Sequence, residues 1–401
     1  MHICFVCREY IPSLRGGGIA SYVYNMAKIL KDHGHKITII AASDNTKDYS
    51  YKIESGINVI RLDKGDFIIK GIEKDCFYKK FRVLYRFISY RKKIIKEIQK
   101  NNDIDIIEVA DFGAESLFFD RLNIPYIIRL HNPSLFDSNT LNIKKFNIKY
   151  IPFYWQARKE ICLIKKAKYI SSCSNGMKNW ILGHITNIQA NINVIYNPIK
   201  LSYSKSDSLS FSKPFIFYAG TISEWKGCED LIKACINLKA KGLDFNLLMA
   251  GKEGEYADYL KNKYSKENWI HFLGKLDHDT LFSYYKNAKV VCFPSWWDNM
   301  PMVCIEAMMC GAIVVGSTSG GMKEIISDNI DGFHVQRKNI NDLENKIEHC
   351  FNLTDNERYD ISKNAQKKIK EKFSDEIIYQ QMIKYYQEVI EDFKKHESTI
   401  R

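Results

Sequence analysis

The fold is decided by residues 288–326, which read AKVVCFPSWWDNMPMVCIEAMMCGAIVVGSTSGGMKEII. The apolar run Val290–Phe293 has the length of a buried strand, and a proline and a serine end it. Pro301 suits the first turn of a helix, and the apolar residues after it recur at helical spacing. A second apolar run, 312–315, precedes a Ser-Thr-Ser-Gly-Gly turn and another helix from Met322. Two consecutive strand–helix units predict an open parallel sheet, in which ligands bind beyond the carboxyl ends of the strands.

Two acids stand out in this stretch. Asp298 lies in the first loop, and Glu306 lies inside the predicted helix, eight positions further along the chain, which corresponds to about two helical turns. Both side chains can therefore address one elongated ligand that lies along the helix N-terminus. Free amide donors and a partial positive charge at that terminus suit a phosphate group.

The same strand–helix alternation recurs on both sides of a polar stretch, rich in serine and lysine, that ends at Lys213. A chain of 401 residues is long enough for two α/β domains, and we place their boundary after residue 198. We find no signal peptide and no apolar run of about 18 residues that could span a membrane. Eleven scattered cysteines predict a reducing cytosol. Cys4 and Cys7 form a CxxC inside the first predicted strand, where buried thiols are favoured over a redox or metal site.

The net charge of +12 is distributed unevenly. Residues 1–200 hold 32 Lys and Arg against 18 Asp and Glu, a net of +14, whereas residues 201–401 hold 27 against 29, a net of −2. This asymmetry predicts an anionic partner for the first half, either a membrane surface or a nucleic acid. The sequence has no recognition helix and no RNA-binding aromatic strand pair, so we expect no nucleic-acid partner.

Two segments of the first half, 64–100 and 144–168, interleave basic with aromatic residues. Within the first, residues 83–98 have helical spacing, and one side of that helix carries Leu84, Phe87, Ile88, Ile94, Ile95 and Ile98. An amphipathic basic helix of this kind can lie in a membrane interface. The alternative is an ordinary helix that packs its apolar side on the sheet and exposes its lysines.

A glycine triplet, residues 16–18, lies between the first predicted strand and a helix. Glycines at this place let the backbone approach a ligand closely, although they also suit a flexible turn. The dinucleotide-binding fingerprint is not met, because Ser21 stands where its third glycine would be.

Polar residues also follow two later strands of the first half. Asp111 comes after the strand predicted at 104–109, while His131 and Asn132 come after the strand at 126–130. Parallel strands end at one edge of the sheet, so these side chains are candidates for contacts at a cleft there. The alternative for each is a capping or turn role.

Together these features resemble the retaining glycosyltransferases of family 4, which have the GT-B fold. The resemblance rests on the Gly-Gly-Gly helix, the histidine after a strand, the Gly…Lys-Gly turn of residues 220–227, the acid-x7-Glu of Asp298 and Glu306, and Gly-Gly-x-x-Glu at 320–324. It covers nearly the whole chain, and its C-terminal motifs are the most specific.

The resemblance implies two Rossmann-like parallel-sheet domains that face each other across a cleft. Residues 1–198 would form the acceptor-binding domain and 199–384 the nucleotide-sugar-binding domain, and a helix over about 385–401 would cross back to the first domain. Donor contacts would come from Gly17, Gly18, Thr221, Lys226, Asp298, Met302, Val303 and Glu306. His131, Lys226 and Asp298 would be the catalytic residues, with Asp111 and Asn132 on the acceptor side.

Within this set, the resemblance places Glu306 on the ribose hydroxyls and Lys226 on the diphosphate. Asp298 would contact the hydroxyls of the donor sugar, and His131 would lie beside the transferred sugar. Family members usually have Glu where this chain has Asp298, and they often have Arg where it has Thr221. Arg15 or Arg129 could supply that second positive charge.

The activity so implied is the retaining transfer of a hexose or N-acetylhexosamine from a UDP- or GDP-linked donor. The expected acceptor is a glycan or glycolipid, lipid-linked, in bacterial surface polysaccharide biosynthesis such as that of capsule or O-antigen. No metal and no further cofactor are expected. We expect a cytoplasmic enzyme, peripheral on the inner face of the membrane through its basic first half. The alternatives are a GT-B nucleotide-sugar epimerase or phosphorylase, or a nucleic-acid-binding protein.

Overall fold

Residues 1–13, 17–44, 49–63, 77–134, 151–199 and 213–400 are described by a computed structural model. The chain divides into two units of parallel α/β structure, as the sequence predicts. The first unit comprises Met1–Cys173, Met177–Pro198 and Ile378–Arg401, and the second comprises Ser174–Gly176 and Ile199–Ile377. The predicted linker up to Lys213 lies almost entirely outside the described residues.

The first unit is built on an eight-stranded sheet of order β3-β4-β2-β1-β5-β6-β7-β8. Every neighbouring pair is parallel except β3 and β4, which form an antiparallel pair at the edge. The strands are β1 His2–Val6, β2 Lys36–Ala42, β3 Ser50–Glu54, β4 Ile57–Leu62, β5 Ile106–Ala110, β6 Tyr126–Leu130, β7 Ile170–Ser172 and β8 Ile192–Val194. The central strands β1 and β5 are buried along their whole length, because helices cover both faces of a parallel sheet.

Four helices of the described chain precede the second sheet: α1 Gly18–Asp32, α2 Phe77–Gln99, α3 Ile151–Lys166 and α4 Asn175–His184. The apolar side of α1 is buried as its spacing predicts, with Tyr22, Met26 and Leu30 in the core. Helix α2 likewise buries Phe87, Ile94 and Ile98. Most of that side of α2 therefore packs in the protein core, as the alternative of an ordinary helix predicts, although Ile88 is 36% exposed. Contact of α2 with a membrane stays a prediction. Segments 64–76 and 144–150 lie outside the described residues.

The second unit has a six-stranded sheet, parallel throughout, of order β11-β10-β9-β12-β13-β14. Its strands are β9 Phe215–Ala219, β10 Asn246–Ala250, β11 Ile270–Gly274, β12 Val290–Phe293, β13 Val314–Ser317 and β14 Phe333–Val335. Its helices are α5 Cys228–Ala240, α6 Glu255–Lys263, α7 His278–Asn287, α8 Met302–Met309, α9 Met322–Ile325, α10 Ile340–Asn352 and α11 Asp355–Lys372. The strand order reverses direction at β9 and β12, so the loops after these strands lie at the topological switch point, where ligands bind in open α/β sheets.

The last helix, α12 Asp375–Ile400, belongs to the first unit from Ile378 onward. Ile378, Met382 and Tyr386 are buried in the same apolar cluster as α1 and β1. The returning segment therefore starts earlier than residue 385, because its first two turns already carry core residues.

The structure differs from the strand predictions at three places. The apolar run at 312–315 becomes a strand only from Val314, because Ala312 still donates its amide to Ala307 at the end of α8. Two strands were not predicted. In β3 the side chains of Tyr51 and Ile53 face solvent, so the strand lacks the apolar alternation of a buried one. Strand β14 has only three residues and a weak pattern.

Candidate functional site

The loops after β12 and β13 are fastened together by backbone contacts. Gly321 donates its amide to the carbonyl of Asp298 at 2.8 Å. A Cβ on Gly320, whose φ is +62°, would lie 2.0 Å from that carbonyl oxygen, and a Cβ on Gly321 would lie 2.1 Å from the carbonyl of Asn299. Only glycine allows this approach, so the Gly-Gly pair of the sequence fixes the position of Asp298.

The turn after β9 is held against the same loop. The amide of Trp296 donates to the carbonyl of Trp225 at 2.8 Å. Gly227 has a φ of +69°, and a Cβ there would lie 2.2 Å from the carbonyl oxygen of Pro294. These contacts bring Lys226, the last residue of the 3-10 turn Glu224–Lys226, beside the loop that carries Asp298.

Lys226 and Asp298 form an ion pair through Nζ and Oδ2, and each side chain is 16% exposed. The ammonium group also lies 4.3 Å from the centre of the Trp225 ring. The pair is therefore partly withdrawn from water, where attraction between charges is screened less than at an open surface. The structure thus brings together two predicted site residues that are 72 positions apart in the sequence.

The N-terminus of α8 lies directly after this loop. Pro301 is the N-cap, with φ −72° and ψ 98°, and not the first helical residue as predicted, so its carbonyl accepts the amide of Cys304 at 3.1 Å. Within the described chain, no hydrogen bond uses the amides of Met302 and Val303. Two donors at a helix N-terminus therefore remain for an anion near the ion pair.

Glu306 lies one turn further into α8 and is partly buried. Burial raises the pKa of its carboxyl, and nearby His278 acts in the opposite direction. Within the described residues its carboxylate makes no hydrogen bond. A half-buried acid without a hydrogen-bond partner is suited to bind the hydroxyl groups of a ligand.

Thr221 is exposed on the loop after β9, and its carbonyl accepts the hydroxyl of Tyr218 at 2.9 Å. The second positive charge does not come from Arg129. That guanidinium is fully buried in the first unit, where it donates to the carbonyl of Ile195 at 2.8 Å and to Asn197 at 3.0 Å. This part of the prediction is wrong, because the guanidinium is 0% exposed and its Nη2 already donates to neighbouring carbonyl groups. Arg15 lies outside the described residues.

In the first unit, Asp111 and His131 meet at the carboxyl ends of β5 and β6. Asp111 Oδ1 accepts the amides of His131 at 3.1 Å and of Asn132 at 3.4 Å, so this carboxyl positions the loop. Burial raises the pKa of Asp111 to about 7. The imidazole of His131 lies 4.9 Å from the ring of Tyr22, and burial lowers its pKa well below the usual value. The histidine is therefore neutral at physiological pH.

A buried polar cluster lies behind this loop, and sequence reasoning did not find it. Glu160 accepts hydrogen bonds from Gly113 at 2.7 Å, from Gln156 at 2.9 Å and from both the amide and the hydroxyl of Ser134. Arg91 donates to the carbonyl of Gly113 and to that of Phe87. The available signal was Arg91 itself, a charged residue on the otherwise apolar side of α2.

Gly17 is the N-cap of α1 and Gly18 its first residue, and both are exposed. No described atom lies within 4 Å of a Cβ built on Gly18. Packing within the described protein therefore does not require glycine at position 18.

Two features are absent from the described residues, 1–13, 17–44, 49–63, 77–134, 151–199 and 213–400. They contain no group of three or more His, Cys, Asp or Glu arranged to hold a metal ion. None of the helices they form combines the length and apolar character needed to cross a membrane.

Comparison with known proteins identifies the family. The family model described as Glycosyltransferase Family 4 matches residues 16–203, and the model described as Glycosyl transferases group 1 matches residues 203–368. The chain belongs to the group 1 glycosyltransferases. The second match contains the Lys226–Asp298 pair, the N-terminus of α8 and Glu306. The resemblance seen in the sequence is thus confirmed.

Relatives of this glycosyltransferase include an uncharacterized glycosyltransferase of Methanocaldococcus jannaschii, 25% identical, with 98% of this chain and 99% of the relative covered. A lipopolysaccharide 1,2-N-acetylglucosaminetransferase of Salmonella typhimurium is 30% identical over 41% of this chain and 46% of its own. An N,N'-diacetylbacillosaminyl-diphospho-undecaprenol alpha-1,3-N-acetylgalactosaminyltransferase of Campylobacter jejuni is 26% identical over 45% and 46%.

Solved structures confirm the GT-B fold of this glycosyltransferase. Sucrose-phosphate synthase from Thermosynechococcus elongatus has a TM-score of 0.79 at 19% identity, covering 98% of this chain and 99% of its own. Anabaena HepE in complex with UDP-glucose has a TM-score of 0.71 at 19% identity, covering 97% and 100%. At these identities the likeness concerns the fold alone.

Proposed function

We propose that this glycosyltransferase moves a hexose or an N-acetylhexosamine from a UDP- or GDP-linked donor to a glycan acceptor, with retention of configuration. The observation that carries the proposal is the Lys226–Asp298 pair in the second unit, next to the unpaired amides of Met302 and Val303. The cation and the helix N-terminus can bind the diphosphate of a nucleotide-sugar, and the two acids can bind its hydroxyl groups. Anabaena HepE, a protein of the same fold, is solved with UDP-glucose.

The proposed chemistry relies on charge stabilisation. Cleavage of the sugar–diphosphate bond leaves an additional negative charge on the departing phosphate. Lys226 and the amides at the start of α8 are fixed donors for that charge, so little reorganisation is needed during the reaction. Glu306 would hold the ribose hydroxyls and thereby place the diphosphate at the amides. We expect turnover without a bound metal, which a measurement in excess chelator tests.

Asp298 would accept hydroxyl groups of the donor sugar, and Thr221 would line the same loop edge. The roles that the resemblance gives to Gly17, Gly18, His131, Asp111 and Asn132 concern the first unit and stay predictions. For the acceptor-side candidates Asp111 and Asn132, substitution should lower transfer while leaving donor binding to the second unit intact.

We further propose that the acceptor is lipid-linked, at the cytoplasmic face of a membrane. The names of the Salmonella and Campylobacter relatives include a lipopolysaccharide and an undecaprenol-linked acceptor. The net charge of +14 on residues 1–200 favours an anionic surface. Co-sedimentation with vesicles containing anionic lipid, against neutral vesicles as control, tests this. A protein that stays in the supernatant with both would contradict it.

The donor site is tested by thermal denaturation with a panel of UDP- and GDP-sugars. A ligand that binds only the folded state raises the melting temperature, so the true donor should stand out. Glu306→Ala should remove this response and abolish donor turnover, while Glu348→Ala on the surface of α10 should change neither. Full activity of the Glu306 variant would overturn the assignment. Formation of an epimer from donor alone would instead indicate an epimerase.

A further inference from the structure

Two anionic groups can pair with the ammonium group of Lys226 in the proposed reaction. In the structure it is paired with the Asp298 carboxylate, yet the proposed donor brings a diphosphate to the same group. We infer that Asp298 competes with the diphosphate for Lys226, and that the enzyme uses this competition to bind nucleotide-sugar in preference to the nucleoside diphosphate product. The inference rests on the proposed function and assigns a specificity-determining role to Asp298.

The geometry limits how Asp298 can respond to a bound nucleotide. Its loop is held by the amide of Gly321 on its carbonyl and by the close approach of Gly320. The backbone of Asp298 therefore cannot swing away from Lys226, and only side-chain rotation is available. With both side chains only 16% exposed, water does not replace a lost partner freely. A carboxylate that loses Lys226 to a diphosphate stays near two anionic phosphates, which is unfavourable unless other donors reach it.

A donor sugar supplies such donors. Its hydroxyl groups can donate hydrogen bonds to the Asp298 carboxylate as the diphosphate takes Lys226, so the charge of Asp298 remains satisfied. A nucleoside diphosphate lacks the transferred sugar and so leaves the Asp298 carboxylate without these hydrogen bonds. Binding of the product is consequently penalised, and binding of the donor is not. After transfer, the re-formed Lys226–Asp298 pair favours release of the diphosphate.

Other neighbours of Lys226 do not replace this effect. The Trp225 ring, 4.3 Å from the ammonium group, is uncharged and attracts the cation in either state. The hydroxyl of Tyr218, which donates to the carbonyl of Thr221, is fully buried, and burial raises its pKa well above the usual value, so it stays neutral. Among the ion pairs of the described residues, Lys226 pairs with Asp298.

The test is calorimetric titration of the full chain with UDP, UDP-glucose, GDP and GDP-mannose. Of the uridine and guanosine pairs, the one that the wild type binds is used for the comparison. The Asp298→Asn variant should bind that nucleoside diphosphate roughly tenfold more tightly than the wild type does, which corresponds to about 1.4 kcal/mol. It should bind the nucleotide-sugar no more tightly than the wild type does. The dissociation constant of the nucleoside diphosphate, divided by that of the nucleotide-sugar, should therefore fall by about tenfold or more. Glu348→Gln removes one negative charge from an ion pair with Lys241 elsewhere in the second unit and should leave the ratio unchanged.

A double-mutant cycle separates this competition from a structural effect. In Lys226→Met the substitution Asp298→Asn should no longer tighten nucleoside diphosphate binding, because the contested cation is gone. Equal or weaker diphosphate binding by Asp298→Asn, with wild-type binding intact, would overturn the inference alone. Failure of all four nucleotides to bind the folded wild type would overturn the donor site as well. Melting temperatures of each variant establish that it is folded.

Discussion

Gly320→Ala tests whether the glycine turn after β13 positions the donor site. The substitution puts a side chain into a left-handed conformation with φ +62°, which costs about 1–2 kcal/mol for a residue other than glycine. The new Cβ would lie 2.0 Å from the Asp298 carbonyl oxygen, whereas ordinary contact begins at 3.4 Å. The two loops must therefore separate by about 1.4 Å, the difference between these distances. The hydrogen bond from Gly321 to Asp298 then weakens, at a cost of about 1 kcal/mol.

From these terms we expect the second unit to lose about 2–3 kcal/mol of stability, and its melting temperature to fall by about 5–10 °C. Displacement of a positioned group by about 1 Å costs roughly 100-fold in function. Affinity for the nucleotide-sugar selected by the thermal screen should therefore fall by about that factor, measured by calorimetric titration below the new melting temperature.

Gly242→Ala is the matched control. Gly242 also has a left-handed φ, +94°, but no described atom lies within 4 Å of its Cβ position. This variant should share the conformational cost and keep full donor affinity. Unchanged affinity in Gly320→Ala, or an equal loss in Gly242→Ala, would refute the claim that this turn fixes Asp298.

Three further predictions concern the first unit. Gly18→Ala should leave the melting temperature within about 2 °C of wild type, because no described atom meets the new Cβ; reduced donor turnover would then identify a ligand contact, and unchanged turnover would contradict the predicted one. Arg129→Met should lower stability by about 3–5 kcal/mol, seen in chemical denaturation, because it leaves Glu108 and two carbonyl groups buried without their cation; a stable variant would contradict this. Asp111→Asn should reduce the pH dependence of the melting temperature between pH 5 and 8. The folded pKa of Asp111 is raised to about 7, so the folded protein holds a proton that the unfolded chain releases above about pH 4. Stability from this group is complete at low pH and is lost as pH rises through about 7. An identical pH profile in the variant would exclude this titration.

Much of the fold followed from local patterns in the sequence. Apolar runs such as Val290–Phe293 predicted the buried strands of both sheets, because a strand covered on both faces excludes polar side chains along its length. Strand β3 was not predicted because it lies at a sheet edge, where Tyr51 and Ile53 face water and the apolar pattern of a buried strand is missing. The family was also evident in the sequence, since its C-terminal motifs are short, contiguous stretches.

The sequence by itself determined the two-domain α/β class, the family and the candidates Asp298 and Glu306. Only the tertiary structure decided what these residues touch. Lys226 reaches Asp298 because β9 and β12 are neighbours in the sheet, and strand order leaves no local pattern in a sequence. Arg129 shows the same limit, since only packing reveals that its guanidinium is fully buried and donates to the carbonyl group of Ile195. The acids at residues 298 and 306 are thus readable from spacing, whereas the competition for Lys226 depends on contacts between distant segments.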